Sequence, residues 1–174
     1  DCVNENQEAI FYCQPIKNRD IETIWKKVVK AFDTRSRFFH FEFFRLDEDK
    51  EGLGKKGDLV GLEVNMRAPG AYMPDIINYT YDVDVYSIWA DMLIHDKSFV
   101  DIDRKYSVGY VSRRDGVKYK NSIDYVKNKY NDKILVDVNV PKVLSEAMGD
   151  IVLLARSKDE NDLFNIINLV TEKI

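Results

Sequence analysis

Residues 60–67 alternate apolar and other side chains without a break, in the order Val-Gly-Leu-Glu-Val-Asn-Met-Arg. Successive side chains of a β-strand point to opposite faces, so Val60, Leu62, Val64 and Met66 belong to one face and Gly61, Glu63, Asn65 and Arg67 to the other. A chain carrying this pattern must build a sheet that packs on one side. Its other side presents a carboxylate, an amide and a guanidinium in a row. Same-face neighbours lie about 6.6–7 Å apart, close enough for Glu63 and Asn65 to serve one dinuclear cation site with Arg67 at its edge. Gly61, expected on the same row, would leave room for a bulky ligand.

The strand-like residues 38–45 precede it and place Glu42 among five phenylalanines. An ionised carboxylate buried in such company costs on the order of several kcal/mol unless a cation or hydrogen-bond donors meet it. If the two strands pair across the intervening loop, Glu42 faces Glu63. Two carboxylates and an amide oxygen then form a hard oxygen site suited to Mg²⁺, which keeps waters or substrate phosphates as its remaining ligands. A solvent-facing sheet with an exposed Glu63–Arg67 ion pair is the plain alternative from spacing alone. Against it stands the Pro69-Gly70 turn after the polar row, which could aim Arg67 into a cleft.

The rest of the chain interleaves helices and strands. Ile21, Ile24, Trp25, Val28, Val29 and Phe32 form a helical stripe with Asp20 at its start, and Val85, Ile88, Trp89, Met92 and Leu93 form another that ends near His95. Pro74 suits the first turn of a helix. Residues 47–57, dense in Asp, Glu and Lys and holding Gly52, Gly54 and Gly57, read as a solvated loop. Residues 106–112 and 117–119 flank Arg113-Arg114-Asp115-Gly116 and predict a hairpin. A short helix over 122–130, strands at 134–140 and 150–155, and a last helix with a Ser157/Glu160 capping box complete the pattern. This predicts an α+β fold with a largely antiparallel sheet and packed helices.

Composition narrows the functional classes. With 45% hydrophobic and 32% charged residues, 8 Gly and 4 Pro, the chain is neither fibrous nor fully disordered. Its 26 basic against 30 acidic residues leave a net charge of −4, so no global field favours nucleic acid or an anionic membrane, despite 9 Phe and 10 Tyr that otherwise suggest base stacking. No apolar run spans a bilayer and no leader pattern opens the chain, which reads as cytoplasmic with Cys2 and Cys13 as free thiols. The tripeptide Asn78-Tyr79-Thr80 is a chance glycosylation match. The opening at Asp1 rather than Met, shortly before the strand-like residues 9–13, reads as a chain cut from something longer.

Phe41-Glu42-Phe43-Phe44, followed by Gly61-Leu62-Glu63-Val64-Asn65-Met66-Arg67-Ala68-Pro69-Gly70, resembles the metal-binding region of ATP-grasp enzymes. These include carboxylate-amine ligases, carbamoyl phosphate synthetase and biotin carboxylase. The resemblance is closest over residues 38–74. It implies Glu42, Glu63 and Asn65 as metal and nucleotide ligands, with Glu63 bridging and Asn65 on a second ion. It implies Arg67 as the catalytic contact to substrate, ATP and Mg²⁺ (or Mn²⁺) as cofactors, and a small-molecule carboxylate and amine as substrates, with self-association left open. Residues 1–100 would be the C-terminal lobe of the grasp and residues 101–174 a small α/β appendage. Two departures stand out: a long, charged loop between the two metal strands, and Ala71 where many members have glycine. The glycine-rich flap and adenine hinge of the other lobe are not seen, so the chain alone is expected to be inactive. A non-catalytic module that retains the fold and a biotin-dependent carboxylase are the alternatives.

Other signals carry less. Residues 52–57 lack the spacing and the Ser or Thr of a phosphate loop. His40, two residues before Glu42 and so on its face, could be a metal ligand but reads first as a hydrogen-bonded packing residue, and His95 reads as a partner of a helix C-terminus. Arg113 and Arg114 are expected in solvent, and Trp25 and Trp89 in the core.

Overall fold

The computed structural model describes residues 7–13 and 19–174. In chain order its elements are β1 (Ile10–Tyr12), α1 (Arg19–Ala31), β2 (His40–Arg45), β3 (Leu59–Asn65), α2 (Met73–Tyr81), α3 (Val85–His95), β4 (Ser107–Arg113), α4 (Ile123–Lys129), β5 (Ile134–Asn139), α5 (Lys142–Met148), β6 (Ile151–Ser157) and α6 (Glu160–Thr171). The fold is α+β, with six helices and two antiparallel sheets among the described residues. No helix among the described residues is long and apolar enough to cross a membrane. Two compact units divide the chain.

The first unit comprises Asp1–Gln14, Asp75–Val83 and Ile102–Ile174. Its sheet runs β1-β4-β6-β5 with every neighbouring pair antiparallel. The central strands β4 and β6 are almost wholly buried, and α6 packs on both. Val111, Leu153 and Ala155 from the strands meet Leu163, Ile166, Ile167 and Val170 of α6 and Val126 of α4. Burying such aliphatic side chains stabilises the unit by roughly 1.5–3 kcal/mol each. At Gly109 a methyl group would stand 3.0 Å from Leu163 Cδ1, which shows how closely α6 approaches the sheet.

Three expectations change in this unit. Residues 117–119 do not form a hairpin with β4, because β1 and β6 occupy both of its edges. The Asp-Gly turn still forms, with Gly116 at φ 81°, while Tyr119 makes an isolated bridge to Lys173. The cap of α6 is Asp159, accepting from Asn161 N at 2.9 Å, whereas Ser157 is held in β6 opposite Ser107. Arg113 and Arg114 are 6% and 3% exposed rather than in solvent. Arg113 Nε donates to Val170 O at 2.7 Å, at the C-terminus of α6. Arg114 Nη2 donates to Glu146 O at 2.9 Å and Nη1 to Ser145 O, at the C-terminus of α5. The carbonyls exposed at a helix end attract both guanidinium groups, although Ser145 O also accepts from Gly149 N. Cys13 is a free, half-buried thiol whose pKa is raised by burial, and Cys2 lies outside the described residues.

The second unit comprises Pro15–Pro74 and Asp84–Asp101. Its sheet is the β2–β3 ribbon. The loop joining the strands is ordered by its own backbone: Leu46 N donates to Asp58 O at 2.9 Å and Gly57 N to Leu46 O at 2.7 Å. Asp49 and Asp58 accept from Lys56 N and Lys55 N, each at 2.8 Å. Helix α3 is capped by Asp84, which accepts from Tyr86 N at 3.0 Å, and closes on Asp96 in the left-handed region. Trp25 stacks on Phe39 at 5.9 Å, and Trp89 meets Phe38 edge-on at 6.0 Å. Trp89 keeps 39% of its surface exposed, so the tryptophans flank the aromatic strand instead of filling a core.

Candidate functional site

Strands β2 and β3 fix the geometry of the acidic residues. Their register places His40 opposite Asn65, Phe41 opposite Val64 and Glu42 opposite Glu63. Directly paired residues of an antiparallel ribbon share a face, with Cβ atoms about 4.5–5.5 Å apart. His40, Glu42, Glu63 and Asn65 therefore form one contiguous polar patch, and the expectation that Glu42 faces Glu63 holds. Two carboxylates in direct opposition repel, which a sheet tolerates only at a cost in stability. Two contacts divide the load: His40 Nε2 lies within ion-pair distance of Glu42 Oε1, at 2.8 Å, and Asn65 Nδ2 donates a hydrogen bond to Glu63 Oε1.

The register slips by one residue between Glu42 and Phe43, so that Phe43 pairs with Gly61, Phe44 with Val60, and Leu62 has no partner on β2. An extra residue in one strand reverses the facing of everything beyond it. Gly61 therefore leaves the row of Glu63 and joins the face of Phe41, Phe43 and Val64. A methyl group at Gly61 would sit 4.0 Å from the Phe43 ring. The space expected there beside the carboxylates does not exist; Val60 and Phe44 continue the face instead.

Burial of Glu42 also departs from expectation. Its side chain is 41% exposed, because the phenylalanines nearest in sequence point to the other face, and His40 already supplies a partner. Desolvation therefore gives no independent demand for a cation at Glu42. Arg67 lies in a bend beyond the last paired residue, exposed, and its Nη1 donates to Ala68 O at 3.0 Å. Among the described residues no group of three or more His, Cys, Asp and Glu side chains is arranged to hold a metal ion. A cation on this patch would be held by Glu42, Glu63 and the Asn65 amide oxygen. Asn65 donates through Nδ2, which leaves Oδ1 available for that role. The donor set, all oxygen and doubly negative, fits a hard divalent ion that retains other ligands of its own.

One feature went unread in the sequence. A groove of about 570 Å³ in the same unit is lined by Asp20, Thr23, Ile24, Lys27 and Leu59 together with the loop residues Leu53, Gly57 and Asp58. Beside it Arg45 Nη2 pairs with Asp20 at 2.7 Å, which holds the Asp20 carboxyl below the usual carboxylate range. The i, i+2 spacing that sets His40 on the face of Glu42 is borne out by their 2.8 Å contact.

No protein-family model matches the chain, and no curated protein matches it. Among solved structures, phosphoribosylglycinamide synthetase from Anaerococcus prevotii is similar to it with a TM-score of 0.57 and 14% identity over 91% of this chain. The likeness is one of fold. This chain covers 43% of the length of that one.

Proposed function

We propose that this chain is the C-terminal portion of an ATP-grasp ligase that uses Mg-ATP to activate a small-molecule carboxylate as an acyl phosphate and joins it to an amine. The observation that carries this reading is the direct opposition of Glu42 and Glu63 on one face with Asn65 beside them. It is supported by the motif over residues 38–70 and by fold similarity to a phosphoribosylglycinamide synthetase. Glu42, Glu63 and Asn65 would hold the divalent cations, and Arg67, on the bend after β3, would reach substrate oxyanions. Bound Mg²⁺ neutralises phosphate charge, and phosphoryl transfer asks little more of a protein than such positioning and electrostatic stabilisation. No nucleophilic side chain is needed. The cofactors are then ATP and Mg²⁺, with Mn²⁺ as a substitute, and a cytoplasmic location would suit such small-molecule chemistry.

Calorimetric titration of Mg-ATP into the intact protein that carries this chain tests the reading. Binding is expected for the wild type and is expected to be lost in Glu42→Ala and Glu63→Gln, with circular dichroism unchanged. Because Glu63→Gln relieves a like-charge pair, its stability should equal or exceed that of the wild type. An intact wild-type protein that takes up no Mg-ATP would favour a non-catalytic module that retains the fold.

A further inference from the structure

We propose that the end of the β4–β6 ladder in the first unit is a phosphate-binding subsite, in which the Arg156 guanidinium and the Lys158 ammonium, set around the Tyr106 ring, hold one phosphate group between them. The inference concerns the first unit alone and does not rest on the reading of Glu42, Glu63 and Asn65.

The register of the ladder builds the site. Ser107 pairs with Ser157 and Val108 with Arg156. Directly paired residues share a face and successive ones alternate, so Tyr106, Val108 and Arg156 stand on the face opposite to Ser107 and Ser157. The same register carried one residue further sets Lys158 across from Tyr106. Contacts agree with this placement: the Arg156 guanidinium lies 4.4 Å and Lys158 Nζ 5.9 Å from the centre of the Tyr106 ring. The backbone beneath the ring is fixed, with Arg104 Nε donating to Tyr106 O and Tyr106 N to Thr80 O, each at 3.1 Å.

Unused donors distinguish this pair from the other cations of the unit. Arg113 and Arg114 donate to carbonyls, Arg104 donates to Tyr106 O, Cys13 O and Ser107 Oγ, and Lys120, Lys127, Lys133 and Lys173 each meet a carboxylate closely. Among the described residues the Arg156 guanidinium makes no hydrogen bond and Lys158 no ion pair. The acidic groups around them are turned elsewhere or loosely held: Glu160 faces Arg104 at 3.7 Å, Asp159 caps α6, and the exposed Asp82 stands 3.8 Å from Arg156 and 3.5 Å from Lys105. A half-buried guanidinium stacked on an aromatic ring is already ordered, and its planar fork matches two oxygens of a phosphate. The ammonium adds a second positive charge beside it. Two such charges match a dianion better than a single carboxylate, which assigns the subsite to phosphate.

The test is footprinting of the intact protein that carries this chain. Phenylglyoxal labels arginine and acetic anhydride labels lysine; both are read residue by residue by peptide mass spectrometry while inorganic phosphate is exchanged for chloride at constant ionic strength. Phosphate is expected to protect Arg156 and Lys158 saturably, while Lys129, which also lies beside a tyrosine ring, stays reactive. Lys158→Gln, at an exposed position, should raise the phosphate concentration that half-protects Arg156 by about tenfold or more, the effect of losing one charge-assisted hydrogen bond. Arg156→Gln should do the same to the protection of Lys158. Glycerol 3-phosphate separates the sources of the group: protection equal to that by inorganic phosphate identifies free phosphate as the occupant, and tighter protection identifies a phosphate ester. Absence of protection by either, equal protection by chloride, or a half-protection point that Lys158→Gln leaves unchanged overturns the proposal.

Discussion

Tyr119 stands at the centre of a polar cluster in the first unit. Its hydroxyl donates to Glu8 Oε1 at 2.7 Å and accepts from Arg114 N at 2.9 Å, while the Arg113 guanidinium lies 4.4 Å from its ring. Lys173 closes the cluster on Glu8 at 2.9 Å. Burial, followed by the hydrogen bond to Glu8, pushes the Tyr119 phenol up to about 12 from its ordinary 10. A raised folded pKa means that the neutral phenol is favoured by folding. That contribution is fully present below pH 10 and is lost as pH rises towards 12. Alkaline titration of stability should therefore show a decline over this window that is absent in Tyr119→Phe, and phenolate absorbance near 295 nm should show one late-titrating tyrosine missing from the variant. A wild-type stability flat from pH 10 to 12 would refute the coupling. The same clasp explains why Arg113 and Arg114 escape a sequence reading: their partners are the carbonyls of α5 and α6, distant in the chain and without any side-chain signature.

At the level of elements, what a sequence reveals depends on whether a pattern is local. The stripe of α1, the alternation of β3 and the runs of β2 and β6 are properties of single segments, and each appears close to its expected bounds. Helix α5 was missed because its seven residues bury nothing and leave no apolar period to detect. The predicted hairpin at 106–119 failed on competition for strand edges, which no local pattern records. In the candidate site, the facing of Glu42 and Glu63 followed from alternation within two strands. The displacement of Gly61 did not, because a one-residue bulge leaves an alternating sequence unchanged. Gly149 shows such non-local demand most sharply. It ends α5 at φ 88° and ψ 168°, a region open essentially to glycine alone, and an added methyl group would meet Ser112 Cβ at 2.3 Å and Arg113 O at 3.2 Å. Ser112 Oγ in turn accepts from Ala9 N at 2.8 Å, so displacing it loosens the attachment of the chain before β1. Gly149→Ala should lower stability by about 2 kcal/mol or more in denaturant unfolding, combining strain and collision. Gly116→Ala is the control: φ is 81°, but no atom lies within 4 Å of the new methyl group, so only the milder backbone strain of about 1 kcal/mol remains.

For the whole molecule the decisive contrast is where burial is complete. The largest side chains with almost no exposure, among them Ile76, Leu153, Leu154, Leu163 and Ile166, all belong to the first unit. In the second unit the buried apolar residues are Leu46, Val85 and Ile88, each retaining 4–8% exposure, while Phe44, Leu62, Leu93 and Ile94 are 56–73% exposed. Burial of apolar area is the main favourable term in folding, and local opening is easiest where it is sparse. The candidate cation patch is thus carried by the less deeply packed unit, on a two-stranded ribbon, an element only marginally stable without packing on one face. Backbone amide deuterium exchange should therefore separate the strands by hours-scale protection. The amides of β4 and β6 should exchange last, through the highest-energy openings, and those of β2 and β3 well before them. Divalent cation should slow exchange selectively in β2 and β3, since a ligand that binds only the ordered ribbon adds its binding free energy to the cost of opening it. Equal protection of the two sheets without metal would contradict the burial argument. Protection of β2 and β3 that ignores added Mn²⁺ would contradict the assignment of Glu42, Glu63 and Asn65 as its ligands.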